Sequence, residues 1–310
     1  MSEIDFSNTR LLIADSGKQN RVEIRNILFH EGFRDITDTD DYKFVREQVA
    51  ENNVDLLIVD HEFPKGDVCK LIREIRHDEI GDNPFIVVIT LAFDPEKEDI
   101  MRIIDSGSDD VMLKPISAGS VVKRIKFFAT ERKKFVVTSD YIGPTRRSSH
   151  RPGTVEIPEI DVPNPVKITA VDGREMSNVQ DEVKLSTRVL KDQKVERQAY
   201  QITYLVERIM PLYFDGKAVM DVTEDLDELK AATVKINGML KDTKYGYIGE
   251  LCETLMTIVD IISLDYNEPD EQSLKLLPEL SQSIVAALQA SDDEAEIAHM
   301  ISNSVQQRTN

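Results

Sequence analysis

Four short apolar runs, each ended by a polar residue, constrain this chain more than any other feature. Leu11-Leu12-Ile13-Ala14 ends in Asp15, residues 54–59 in Asp60, residues 85–89 in Thr90, and Val111-Met112-Leu113 in Lys114. Amphipathic stretches lie between them. Residues 21–29 place Val22, Ile24, Ile27 and Leu28 at helical spacing before Gly32. Residues 44–49, 68–75, 100–104 and 121–128 repeat that pattern, and a weak strand is expected near 35–37. Strands alternating with helices require crossover connections and a parallel sheet. Apolar runs without two-residue alternation fit a sheet covered on both faces. Such sheets bind ligands beyond the carboxyl ends of their strands, where Asp15-Ser16, Asp60, Thr90 and Lys114 are expected to meet.

Those residue types suit phosphoryl transfer to a carboxylate. That reaction needs a nucleophilic aspartate, a divalent cation for the phosphoryl oxygens and fixed donors around them. Asp60, ending a buried central strand, is the candidate acceptor. Thr90 offers a hydroxyl and Lys114 an ammonium. Asp15 is placed to hold the cation, directly or through water, and oxygen ligands suit Mg²⁺.

The rest of the chain reads differently. Residues 136–180 contain Pro144, Pro152, Pro158, Pro163 and Pro165. Prolines at this density disfavour helices and strand pairing, so an extended linker with short docked pieces is expected. Arg146, Arg147 and Arg151 make it locally basic. This is either solvated linker charge or a strip that docks on an acidic face. Residues 181–310 show wide apolar stripes at spacings of three and four, cleanest from Ile248 to Ile262, and a last one at Ile297, Met300, Ile301 and Val305. They predict about five helices in a bundle, with Pro211 ending or bending the first. The expected domains are therefore 1–135, 136–180 and 181–310.

Charge narrows the partners. The net charge is −19; residues 1–135 hold 20 Lys+Arg against 27 Asp+Glu, and residues 136–310 hold 18 against 30. Duplex binding needs a basic face, so no nucleic-acid partner is expected. No window holds the ~18 continuous apolar residues of a membrane span, and the N-terminus has no signal-peptide core; a soluble cytoplasmic protein is expected. Cys69 and Cys252, one in each half, make neither a disulfide framework nor a metal motif and are expected to pack as small apolar residues. His299 lacks the context of a phosphotransfer histidine, and Gly246 and Gly249 read as a turn.

Residues 58–76, IVDHEFPKGDVCKLIREIR, and 106–115, SGSDDVMLKP, resemble the receiver domains of bacterial response regulators. The resemblance covers about residues 9–130, with Pro64 four places after the acceptor. It implies a flavodoxin-like (βα)5 fold with strand order 2-1-3-4-5. It further implies phosphorylation of Asp60, with Mg²⁺, by a histidine kinase or a phosphotransfer protein. The implied metal contacts are Asp15, Asp60, the backbone carbonyl of Glu62, and Ser16, which stands where the family has a second acid. Leu91 replaces a usual small residue, Val111 a usual aromatic switch residue and Val68 a common glycine. Residues 135–147, FVVTSDYIGPTRR, resemble a segment that follows receivers in some bacterial signalling proteins.

Three functions follow as expectations. The first is a response regulator, itself no enzyme, whose helical half binds a protein partner or forms a homodimer when Asp60 is phosphorylated. The second is a pseudo-receiver scaffold that signals without phosphorylation. The third is an unrecognised enzymatic activity, such as a phosphatase, in the helical half. Glu62 is also placed to influence water attacking an aspartyl phosphate, with His61 the alternative for that role.

Overall fold

The computed structural model describes residues 4–146, 157–214, 222–240 and 243–289. Two compact units emerge, Met1–Thr187 and Arg188–Asn310.

In the first unit the alternation of runs and stripes becomes β1 (Leu11–Ala14), α1 (Lys18–His30), β2 (Ile36–Thr39), α2 (Tyr42–Ala50), β3 (Leu56–Asp60), α3 (Val68–Arg76), β4 (Val87–Phe93), α4 (Lys97–Asp105), β5 (Asp110–Lys114) and α5 (Ala118–Thr130). The five strands are parallel in the order β2-β1-β3-β4-β5, as the resemblance implied. Side chains alternate across the sheet. Leu11, Ile13, Ile58, Ile89 and Leu91 face the layer of α1 and α5, with Ile24, Leu28 and Ile125. Leu12, Ala14, Val59 and Val88 face the layer of α2 and α3, with Val45, Leu71 and Ile75. Local polar residues start the helices. Asp41 accepts from the Lys43 N–H at 2.9 Å, Asp67 from the Lys70 N–H at 3.0 Å, and Glu96 and Asp99 cap α4 reciprocally.

β4 runs past the expected end at Ile89, so Thr90 is its fourth residue and not the residue beyond it. That difference decides which way Thr90 points.

The proline-rich stretch contributes folded pieces to the first unit. Phe135–Val137 (β6) and Ile142–Pro144 (β7) form an antiparallel hairpin, and Ile160 bridges to Phe135. Pro165–Ala170 (α6) packs Val166 and Ala170 into the α1–α5 core. Prolines sit where a missing N–H costs little, Pro144 at a strand end and Pro165 at the first position of a helix. Gly107 (φ +95°) meets the hairpin so closely that a Cβ there would lie 2.6 Å from the Ile142 carbonyl oxygen.

Beneath this hairpin lies a largely buried charge cluster. Arg76 donates to Asp109 at 2.8 Å and to the carbonyls of Pro84, Ile86 and Gly107. Arg132 donates to both Asp109 oxygens and to the Phe85 carbonyl, and both guanidinium groups lie over the Phe135 ring. Such a cluster is tolerated in a core only because its donors and acceptors are met.

The boundary between the units falls inside α7 (Gln180–Phe214). From residue 188 onward, α7 packs with α8 (Val222–Met239), α9 (Gly249–Leu264) and α10 (Glu271–Leu288) around Ile202, Leu229, Leu255, Val259 and Ile284. Pro211 lies within α7, which continues three residues beyond it; so close to the helix end, the missing N–H removes only one of the last backbone bonds. The stripe at 297–305, His299, Arg147 and Arg151 lie outside the described residues.

Candidate functional site

Three of the expected residues converge at the carboxyl end of the sheet. Asp15 follows β1, Asp60 ends β3 and Lys114 ends β5, just before a cis peptide to Pro115. The Lys114 ammonium donates to Asp15 Oδ2 and to Asp60 Oδ2, each at 2.6 Å. The register explains the meeting. Asp60 is level with Leu91, Leu91 with Met112, and Lys114 lies two residues beyond Met112 on the same face.

Burial raises the Asp60 carboxyl above its ordinary value. Hydrogen bonds from Lys114 and from the Glu62 backbone N–H pull the other way without cancelling it. For Lys114 burial pulls downward, but the bonds to Asp15 and Asp60 prevail and its pKa is raised. The pair is therefore a charged contact that costs desolvation.

Thr90 does not join them. It is level with Val59 and Val111 and shares the face of Val88 and Ala92. Its hydroxyl is fully buried and bonded to Ser108 Oγ at 2.8 Å. Leu91, packed in the α1–α5 core, holds the β4 position level with Asp60. The hydroxyl expected to meet a phosphoryl group thus faces the opposite layer, because β4 places odd-numbered residues on the Asp60 side.

Ser16 and the Glu62 side chain are exposed; what Glu62 brings to Asp60 is its backbone N–H. His61 donates its backbone N–H to the Leu91 carbonyl at 2.8 Å, and its Nε2 lies 3.7 Å from Asp99 of α4. Val111 packs against Cys69, Ala92 and Ile103. Burial raises the Cys69 thiol and pushes Cys252 up to about 12, so both are packing residues at neutral pH.

Sequence reasoning missed three contributors. Asp15 Oδ1 accepts from the Gly17 N–H at 2.7 Å, and Asn20 Nδ2 lies 3.2 and 3.3 Å from the two Asp15 oxygens. Arg21 donates to the Asp15 carbonyl at 2.6 Å. A Gly-x-x-Asn just after a strand-ending aspartate was the available signal.

The donor set fits a hard, small cation. Two carboxylates point at one ammonium position, and Mg²⁺ is commonly held by one or two carboxylates while it keeps water. Among the described residues no group of three or more His, Cys, Asp or Glu could hold a metal, so water and substrate oxygens would complete the shell.

The family model of the response regulator receiver domain matches residues 11–126. The phosphate regulon transcriptional regulatory protein PhoB of Escherichia coli is 28% identical over 117 residues, 38% of this chain and 50% of PhoB. The response regulator SaeR of Staphylococcus aureus is 28% identical over 128 residues, 41% of this chain and 53% of SaeR. The chain spans about half the length of these curated relatives. Among solved structures, the receiver domain of the Francisella response regulator 1452 is 27% identical, with a TM-score of 0.35 over 39% of this chain and 95% of that one. The receiver domain of sensor histidine kinase PA1611 from Pseudomonas aeruginosa, with magnesium coordinated in its active-site cleft, is 22% identical, with a TM-score of 0.35 over 39% and 95%.

Proposed function

Residues 11–126 form a response regulator receiver domain, and on that premise we propose that Asp60 accepts a phosphoryl group from a histidine kinase or a phosphotransfer protein. The observation that carries the reading is the Lys114 ammonium bridging Asp15 and Asp60. An Asp60 oxygen attacks phosphorus as the P–N bond of a phosphohistidine breaks, and the electron pair returns to the imidazole nitrogen. Lys114 then pairs with a phosphoryl oxygen, and the Glu62 backbone N–H steadies Asp60. Asp15 and Asp60 would hold Mg²⁺, which would supply neutralisation of the phosphoryl oxygens. Residues from 181 onward act as the output region by binding a protein partner or a second copy. Their amphipathic helices and acidic sequence favour a partner with a basic face. No helix among the described residues is long and apolar enough to cross a membrane.

One observation favours a second reading, a receiver that signals without phosphorylation: Leu91 and not Thr90 is level with Asp60. Incubation with Mg²⁺ and acetyl phosphate, followed by intact mass spectrometry, separates the two. The first reading expects one added phosphoryl group on the wild type and none on Asp60→Asn. No addition on the wild type, together with none from a phosphorylated histidine donor, leaves the second.

A further inference from the structure

Resting on the reading of Asp60 as phosphoacceptor, we infer that Asn20 is the positioning residue that orients Asp15 for the cation. Ser16, the neighbour of Asp15, points to solvent, so Asp15 is the only carboxylate after β1 turned toward Lys114. Its orientation is set by three donors. Lys114 takes Oδ2, Gly17 N–H takes Oδ1, and the Asn20 amide straddles both oxygens at 3.2 and 3.3 Å. A straddling amide fixes the carboxylate plane, which neither single-oxygen contact does.

The helix start is arranged around this contact. Asn20 is the third residue of α1, where a capping-box side chain would reach back to the cap. Here the cap is Gly17, which offers no side chain, and Asn20 turns to Asp15 instead. A Cβ at residue 17 would lie 2.9 Å from Asn20 Nδ2 and 3.1 Å from Asp15 Oδ1. Gly17 therefore leaves the opening through which Asn20 reaches the carboxylate. Groups that orient a metal-binding side chain typically change metal affinity about 10- to 100-fold when removed.

The test is Mn²⁺ titration of the full, unphosphorylated chain, with free Mn²⁺ read by electron paramagnetic resonance. Asp60→Asn is expected to weaken binding. Asn20→Ala is expected to weaken it about ten-fold. Asn20→Gln, which keeps an amide donor, is expected to bind more tightly than Asn20→Ala, a rescue that a purely structural asparagine would not produce. If Asn20→Ala fails to fold, Asn20→Leu, of similar size and also without the donor, is read in its place. Wild-type affinity in folded Asn20→Ala or Asn20→Leu, with Asp60→Asn still weakened, overturns this inference and spares the acceptor reading. A wild type that takes up no Mn²⁺, or an Asp60→Asn that binds unchanged, removes both.

Discussion

The two ends of the receiver sheet handle buried charge in opposite ways. At the amino end, Asp109 lies between Arg76 and Arg132, and backbone carbonyls and the Phe135 face meet the remaining donors. At the carboxyl end, two carboxylates share one lysine. Burial alone would raise the Asp109 carboxyl, but Arg132 and Arg76 outweigh it and hold its pKa low; Arg76 is itself pulled down to about 10 by burial. At Asp60 burial wins and the pKa rises. The first cluster holds α3, the start of β5 and the residues after α5 together, whereas the second leaves two carboxylates on a single ammonium.

The strongest way to break this comparison is Asp109→Ala. It strands two buried guanidinium groups, and the first unit should lose about 3–5 kcal/mol in urea unfolding. A loss below about 1 kcal/mol would mean that the cluster is not closed as described.

Lys114→Met leaves Asp15 and Asp60 facing each other without the ammonium they share. A cost of about 2 kcal/mol at neutral pH is expected, with Mg²⁺ restoring part of it, read as a thermal midpoint with and without Mg²⁺. A midpoint insensitive to the substitution would sink the claim that the carboxylates converge on Lys114.

Two pH series sharpen the contrast through linkage. Asp60 has a raised folded-state pKa, so its ionisation opposes folding, and stability falls as pH rises above the ordinary carboxylate value through the folded one. Asp60→Asn should therefore melt higher than the wild type at neutral pH, with the advantage shrinking toward pH ~4. Asp109 has a lowered folded-state pKa. Its stabilisation is full above the ordinary carboxylate value and is lost as pH falls through the folded one, so the penalty of Asp109→Asn should shrink only on acidification. Parallel curves for the two variants would contradict the opposite shifts.

The smallest effect belongs to Thr90→Val. It should cost about 1 kcal/mol for the Ser108 hydrogen bond, while the rate of phosphorylation by acetyl phosphate stays within about two-fold. A loss of ten-fold or more, about 1.4 kcal/mol in the barrier, would place Thr90 at the acceptor.

Most of the receiver was readable residue by residue. The runs at Leu11 and Leu56 became strands where expected, and the stripes at Ile24 and Leu71 became the helices that cover them. Asp15, Asp60 and Lys114 were legible because each ends an apolar run. The Ser108 partner of Thr90 was not legible because side chains alternate along a strand. Reading β4 as ending at Ile89 put Thr90 in the crevice, while the strand through Phe93 sends it to the other layer. Asn20 was invisible because a polar residue in a first helical turn looks like ordinary solvated surface. The folded pieces of the proline-rich stretch were missed because proline density reports what a segment cannot form, not what it can pack against.

The sequence by itself determined the alternation of strands and helices, the acidic balance and which carboxylates lie at strand ends. These follow from local apolar periodicity and from the chemistry of single residues. Only the tertiary structure decided that Leu91 and not Thr90 is level with Asp60, which amide holds Asp15, and that Arg76, Asp109 and Arg132 close into one cluster under Phe135. Those outcomes depend on strand register and on contacts between residues far apart in the chain, which no local pattern encodes.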